Sequence, residues 1–356
     1  ALNLASPGIV VREVDLTIGR VDATSGSIGA LVAPFAKGPV GTPVLITDEA
    51  DLLENFGQPY ETDKHYEDWL VASSYLAYGG NMRVVRADDT DLRNSFTGTA
   101  SSFKIKSTEH YNQLGYDNNT ITNVTFAARN PGSWGNGIRV ATIDGLADQI
   151  IGINTAGIGF GTAGTPAPSG MVGLGVTQTI PLGTTVVGAG TTSSLDGFLK
   201  GIITQELGSN KFGVKVVSHV SAAGTETNVD YTESGIYRFR VGFNTVGSST
   251  TLSTGSIGII TATSGANTTI GYAGTIASAI DWFNEQTLTL TGAGSTITWN
   301  SIVERPGTSS YASARNARFD EIHVLVIDGS GDVTGNAGTI LEKHVSLSKA
   351  KDAEYS

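Results

Sequence analysis

From Ile9 to Leu16 apolar and polar residues alternate, which predicts a strand. One side carries Val10, Arg12, Val14 and Leu16, and the other carries Val11, Glu13 and Asp15. No hairpin partner follows in the sequence, and a lone strand is not stable in water. The segment is therefore either a strand of its own domain or an edge strand laid on the sheet of another molecule. Residues 1–22 read as an extended N-terminal arm, with Gly19 and the small residues Ala23 to Gly26 as its hinge.

The next stretch, 23–145, mixes helical and strand periods. Ile28 to Ala33 is a small-residue apolar run, and Val44 to Ile46 is a second short strand. Thr47 or Asp48 is set to cap a helix whose first turn holds Glu49 and Asp51. Leu52, Leu53 and Phe56 form its apolar face, and Gly57 stops it. A longer helix is predicted over 64–78, where Tyr66, Trp69, Leu70, Ser73, Leu76 and Ala77 recur at three- and four-residue spacing. Gly79 and Gly80 end it, and Met82 to Ala87 is a strand. Further strands are expected over Phe103–Lys106, Asn123–Ala128 and Ile138–Ile143. Asn136-Gly137 reads as a tight-turn signal between the last two.

The pattern changes at 146. Through 278 the chain is poor in charge and dense in Gly, Thr, Ser and Ala. Strands are expected over Gln178–Ile180, Thr184–Val187, Phe212–Val220 and Tyr237–Phe243, while Leu195–Ile203 suits a short helix or a strand. This stretch reads as an inserted, peripheral β-rich domain of sandwich or barrel type. From 279 to 356 the mixed pattern returns. Ile322 to Ile327 is a continuous apolar strand, and Thr339 to Val345 is a strand paired with it. The fold class is α+β and multidomain: an N-terminal arm, a mixed α/β region in two parts, and the insert between them.

Composition supports this picture. The 356 residues include 46 glycines and only 15% charged residues, the profile of a turn-rich β protein. The net charge of −11 argues against direct nucleic-acid binding, which needs clustered Lys and Arg. It also argues against anionic membrane surfaces, and no apolar run is long enough to insert in a membrane. Without cysteine there are no disulfides, thiolate nucleophiles or Cys-metal sites.

Candidate chemistry is sparse. Gly159-Phe160-Gly161-Thr162-Ala163-Gly164 spells a dinucleotide-binding fingerprint. Thr165-Pro166-Ala167-Pro168 follows it where a helix would have to start, which defeats the match. None of the five histidines is paired at helical spacing, and His323 reads as a hydrogen-bonded sheet residue. Asp88, Asp89 and Asp91 read as a solvated turn rather than a cation site. The four tryptophans read as core anchors with hydrogen-bonded indoles. Arg83 and Arg86 alternate with Val84 and Val85, and are either candidates for salt bridges to carboxylates of an adjacent subunit or simple surface strand residues. No coherent constellation supports an enzyme, and no cofactor or metal is expected.

Several blocks, in order, resemble the contractile tail sheath proteins of myovirus-type bacteriophages. They are Ser6 to Leu16, Phe56-Gly57-Gln58-Pro59 with Tyr78 to Ala87, and Asn130-Pro131-Gly132-Ser133-Trp134-Gly135-Asn136-Gly137-Ile138. The series continues with Asp281-Trp282-Phe283, Trp299-Asn300-Ser301-Ile302, Arg305-Pro306-Gly307-Thr308-Ser309, Asp320 to Val324 and Leu347 to Ala350. The blocks frame about half the chain. The resemblance implies a structural subunit that polymerises as a sixfold helical sheath around a tail tube and contracts to drive the tube into a host cell. Its partners would be copies of itself, the tube protein, and baseplate and tail terminator proteins. It would reside in the virion after assembly in the host bacterial cytoplasm. Ile9, Val10, Val11, Arg12, Glu13, Val14, Asp15 and Leu16 would then be the strand exchanged with a neighbour. The family also carries a C-terminal domain and arm with no counterpart in this sequence, so a fragment of a longer protein is expected. The alternative is a β-rich module that recognises a receptor or glycan on a virion or surface layer.

Overall fold

The computed structural model describes residues 28–59, 65–116, 121–154, 170–179, 184–188, 191–233, 235–241, 256–264, 267–292 and 294–350. The expected arm, its strand Ile9–Leu16 and the Gly159–Gly164 match lie outside these residues. The fold is α+β, with few helices and many strands in several sheets. It divides into two compact units. One comprises the chain up to Ile138 with Ser330–Asn336, and the other comprises Arg139–Gly329 with the chain from Ala337.

In the first unit, β1 (Gly29–Ala33), β2 (Val44–Ile46) and β3 (Met82–Arg86) form a sheet of order β1-β3-β2. The β1 strand runs parallel to β3, and β2 antiparallel to it. One face of the sheet is covered by α1 (Glu49–Phe56) and α2 (His65–Ala77). Leu52, Phe56, Trp69, Ala72 and Leu76 from the helices meet Ala33, Ile46, Met82 and Val84 from the strands in one buried cluster. Asp48 caps α1, accepting from the Asp51 amide at 2.8 Å. Gly57 ends the helix at a positive φ of 79°, with its N–H donating to Leu53 O. Packing is close where α2 crosses the sheet: a Cβ on Gly29 would sit 2.7 Å from the Tyr75 ring. The inward residues of α2 are Trp69, Ala72 and Leu76, whereas Tyr66 and Leu70, expected on the same face, point to solvent.

Next come β4 (Phe96–Gly98), α3 (Thr108–Gln113) and β5 (Val124–Ala127), with β4 and β5 paired antiparallel. No strand forms over Phe103–Lys106. The buried Asn94 side chain takes the place of a neighbouring strand there. Its Nδ2 donates to Ile105 O and Ala128 O, and its Oδ1 accepts from the Ile105 amide at 2.7 Å. Asn136-Gly137 makes no hairpin turn either. Ser133–Gly137 is one turn of 3-10 helix, and the strands flanking it join different sheets.

The chain enters the second unit along β6 (Ile138–Asp144). The ring that follows uses β7 (Gln149–Asn154), β8 (Gly175–Thr179), β11 (Phe198–Gly208), β12 (Lys211–Val220), β14 (Ser256–Ser264) and β15 (Asn267–Asp281). Each is antiparallel to the next in the order β11-β8-β14-β15-β7-β12, and β12 returns to pair with β11. Closure leaves none of the six with an unpaired edge along its whole length. Ile151, Val176, Leu199, Ile203, Phe212, Val214 and Ile276 belong to the core of this unit. The β9 (Thr184–Gly188) and β10 (Thr191–Leu195) strands form a separate pair, and β13 (Glu226–Asn228) extends β12.

The stretch Leu195–Ile203, which suited either a helix or a strand, contains the end of β10 and the start of β11. Tyr237–Val241, expected in a strand, has no strand structure. Phe239 instead plugs the core and is tied down by Gln149, whose Oε1 accepts from its amide and whose Nε2 donates to its carbonyl.

The unit is completed by β16 (Thr287–Thr289) paired with β17 (Thr296–Thr298), the short helix α4 (Ser310–Ser313), β18 (Glu321–Asp328) and β19 (Thr339–Ser348). A sheet of order β19-β18-β6 joins the C-terminal strands to β6. Its core mixes Ile143 and Ala147 with Trp282, Phe283, Trp299, Leu325 and Ile327. The contacts thus divide the chain at Ile138. The C-terminal strands group with the β-rich stretch because they pair with β6 and share this core.

Candidate functional site

Arg83 and Arg86 lie three residues apart on β3, so the two-residue period sends them to opposite faces. Arg83 is exposed and makes no ion pair among the described residues. Arg86 is only 2% exposed. Its Nε donates to Phe35 O, Nη1 to Gly38 O at 3.0 Å and Pro131 O at 2.6 Å, and Nη2 to Ala36 O at 3.0 Å. A guanidinium offers five donors in a fixed fork, which suits a cluster of carbonyls better than an ammonium would. Burial lowers its pKa to about 10, and Asp88 opposes that shift. Arg86 therefore ties the turn after β1 to the Asn130-Pro131-Gly132 segment from inside. That is a correction to its reading as a cation held out to a neighbour. Gly132 is required at this junction. Its φ is +135°, and a Cβ there would lie 2.5 Å from Ala36 O.

The acidic turn after β3 is an ion-pair cluster. Asp88 Oδ1 meets Lys104 Nζ, and Oδ2 meets Lys106 Nζ at 2.7 Å. Hydrogen bonds from Lys104 and then Lys106 hold the carboxyl at about 2. Asp89 Oδ1 accepts from the Asp91 amide at 2.8 Å, closing a local turn. Among the described residues no group of three or more acidic or histidine side chains is placed to hold a metal ion.

Sequence reasoning missed a buried charge network in the second unit. Asp148, just before β7, accepts from the Val216 amide at 2.8 Å and faces Lys215 Nζ at 3.5 Å and Arg305 Nη1 at 3.8 Å. Arg305 Nη2 pairs with Asp281, which also accepts from Tyr231 Oη at 3.0 Å. The Arg305 guanidinium lies 5.0 Å from the Tyr231 ring centre, and Lys215 Nζ lies 4.1 Å from that of Phe319. Burial pushes the Asp148 carboxyl up and the Lys215 ammonium down, and each partner's charge opposes the other's shift. Burial, then the Asp281 charge, raises the Tyr231 phenol. Residues far apart in sequence meet here: Asp281 and Arg305 stand in the blocks that carry the family resemblance and Lys215 in the expected strand Phe212–Val220, but nothing in the sequence groups them. No substrate-sized opening is needed to explain these groups, since every charge is matched by another or by backbone.

His323 is a sheet residue with both ring nitrogens engaged. Nδ1 accepts from the Ser346 amide at 2.8 Å, which leaves Nε2–H to donate to Glu304 O at 2.9 Å. The Trp69 indole donates to Gly57 O at 3.0 Å, and that of Trp282 donates to Gln205 Oε1 at 3.1 Å. Trp134 departs from the expected pattern: its Nε1 has no partner among the described residues, while Lys37 Nζ sits 5.4 Å from the ring centre.

These arrangements tie the chain's own backbone segments together. No protein-family model matches the chain. It is 37% identical over 101 residues to the tail sheath protein of Enterobacteria phage T4, an alignment covering 28% of this chain and 15% of that one. It is 32% identical over 144 residues to the tail sheath protein of Salmonella phage ViI, covering 39% of this chain and 21% of that one. The chain thus matches well under half the length of these curated relatives. Over that matched part it is related to the tail sheath proteins of bacteriophages.

Proposed function

We propose that this chain is a structural subunit of a contractile phage tail sheath. The observation that carries the reading is its similarity to the two phage tail sheath proteins. The sheath would polymerise around a tail tube, with baseplate and tail terminator proteins at its ends, and would be a virion component assembled in the host cytoplasm. Polymerisation proceeds by strand exchange: Ile9–Leu16 adds to the sheet of a neighbouring copy through main-chain hydrogen bonds, and the segment behind it serves as the hinge about which the bodies rotate. Contraction then needs no catalyst. It needs an extended array held by a barrier, and a shorter array with more favourable contacts between bodies. A non-enzymatic role fits groups such as Arg86 and Asp148, whose polar atoms are spent on internal structure.

Electron microscopy of the chain extended by its native downstream sequence, with and without residues 1–17, tests this. Tubes from the longer form and folded, non-polymerising protein from the deletion are expected. Normal tubes after the deletion would remove strand exchange from the account. Absence of tubes from the extended chain in the presence of tube protein would remove the sheath reading itself.

A further inference from the structure

Among the described residues, helices cover the sheet β1-β3-β2 on one face only. On the other face the register places Ala30 beside Arg83, Val32 beside Val85, and Leu45 beside Arg83. Val32 is 69% exposed and Leu45 46%. The result is an apolar patch holding one cation, Arg83, with no ion-pair partner among the described residues. On the far side of the same layer, α2 turns a second apolar stripe to solvent. Leu70 is 50% exposed and Val71 59%, Glu67 stands exposed at the same helical phase, and Tyr78, just past the helix end, is 88% exposed. With 100° per residue, Glu67, Leu70, Val71 and Ser74 centre roughly opposite the inward Trp69, Ala72 and Leu76. Single exposed apolar residues are ordinary, but contiguous ones on both sides of a two-layer unit mark interaction faces.

We propose that these faces dock on each other between copies of this chain, the sheet face of one copy on the α2 stripe of the next. Charge complementarity selects a second copy as the occupant. The sheet face is apolar with one base, the helix face is apolar with one acid, and Arg83 of one copy meets Glu67 of the next. Because the faces lie on opposite sides of the layer, the contact is heterologous. It propagates head to tail, as a ring or helical array does, instead of closing a pair. The inference rests on the assembly reading above and adds a body-to-body contact that is separate from the terminal strand.

Sedimentation velocity of the full chain tests it with Val32→Asp on one face and Leu70→Asp on the other. Both sites are solvent-exposed in the single chain, so the fold survives, which circular dichroism verifies. Concentration-dependent association of the parent chain is expected, and each variant should weaken it by about tenfold or more, since a carboxylate is forced into a desolvated contact. An equimolar mixture should form a one-to-one complex and stop there, because each variant keeps the face the other has lost. As a milder pair, Arg83→Glu and Glu67→Arg should each weaken association about two- to fivefold, and mixing them should recover it.

A parent chain that stays monomeric up to about 1 mM, or variants that associate like the parent, overturns the inference. So does a Val32→Asp and Leu70→Asp mixture that stays monomeric, which would mean that the faces meet other occupants. Failure here is distinct from failure of the sheath reading: tubes that form with Val32→Asp sink only this contact, and pairing without tubes sinks only the sheath.

Discussion

At the scale of single residues, charge is used inside this protein to hold backbone and other charge in place. Asp148 and Lys215 are the sharpest case, with side chains 5% and 11% exposed. Removing Lys215 leaves the buried Asp148 with Arg305 Nη1, at 3.8 Å, as its remaining charge partner. Lys215→Met should therefore destabilise the second unit by up to about 3 kcal/mol. Asp148→Asn with Lys215→Met should cost less than the sum of the two single changes. Urea unfolding followed by hydrogen exchange at amides of β7 and β12 reads both, and strict additivity would show that the pair is not coupled.

Asp88 offers a pH test in the other unit. Its folded pKa, about 2, lies below the unfolded value of 3.8. Its contribution is therefore fully present above about pH 4 and is lost as pH falls toward 2. Because the group is exposed to solvent, the contribution is small and screened by salt. Carboxyl NMR should place its titration near pH 2, and Lys104→Ala should move the midpoint upward.

Elements were legible wherever local chemistry decides them. Of the two cap candidates, Thr47 and Asp48, it is Asp48 that accepts from the Asp51 amide, and the first-turn Asp51 reaches back so that its Oδ2 accepts from the Thr47 amide at 3.2 Å. Asp48→Ala should cost about 1 kcal/mol, seen as faster exchange of the Leu52 and Asp51 amides. An unchanged rate would mean that packing alone fixes the helix end. Gly132→Ala should cost more, about 1–3 kcal/mol, since it adds a disfavoured φ to a clash with Ala36 O.

Where tertiary partners decide, the sequence misled. Phe103–Lys106 alternates as a strand does, yet Asn94, a distant side chain, satisfies its backbone. Arg86 looks like Arg83 in sequence; the strand period puts them on opposite faces, and only the packing of the unit shows which of the two is buried. The Asp148 network was invisible because its members come from five separated segments, and nothing local marks a lysine at position 215 as buried. The long strands β14 and β15 were passed over because their Gly, Ser and Thr content resembles loop composition, although Ile257, Ile259 and Ile260 supply the β-branched signal.

At the scale of the whole molecule, the net charge of −11 sets the terms on which copies meet. Each copy carries 33 acidic against 22 basic residues, so approaching copies repel over the Debye length. That length is about 30 Å at 0.01 M salt and about 8 Å at 0.15 M. The proposed contact between the sheet face and α2 is mostly apolar, with a single ion pair, Arg83 with Glu67. Salt weakens that one attraction but relieves repulsion across the whole surface, and burial of Val32, Leu45 and Leu70 is not weakened by it. Repulsion should dominate the balance. Self-association measured by sedimentation should strengthen as salt rises from about 0.01 to 0.15 M and then level off. In the Arg83→Glu variant the same rise should be steeper, because its one favourable charge contact is gone and its net charge is more negative by two. Association that falls with added salt would mean that ion pairs, not apolar burial, hold copies together, and would move the search for the interface to the charged surfaces.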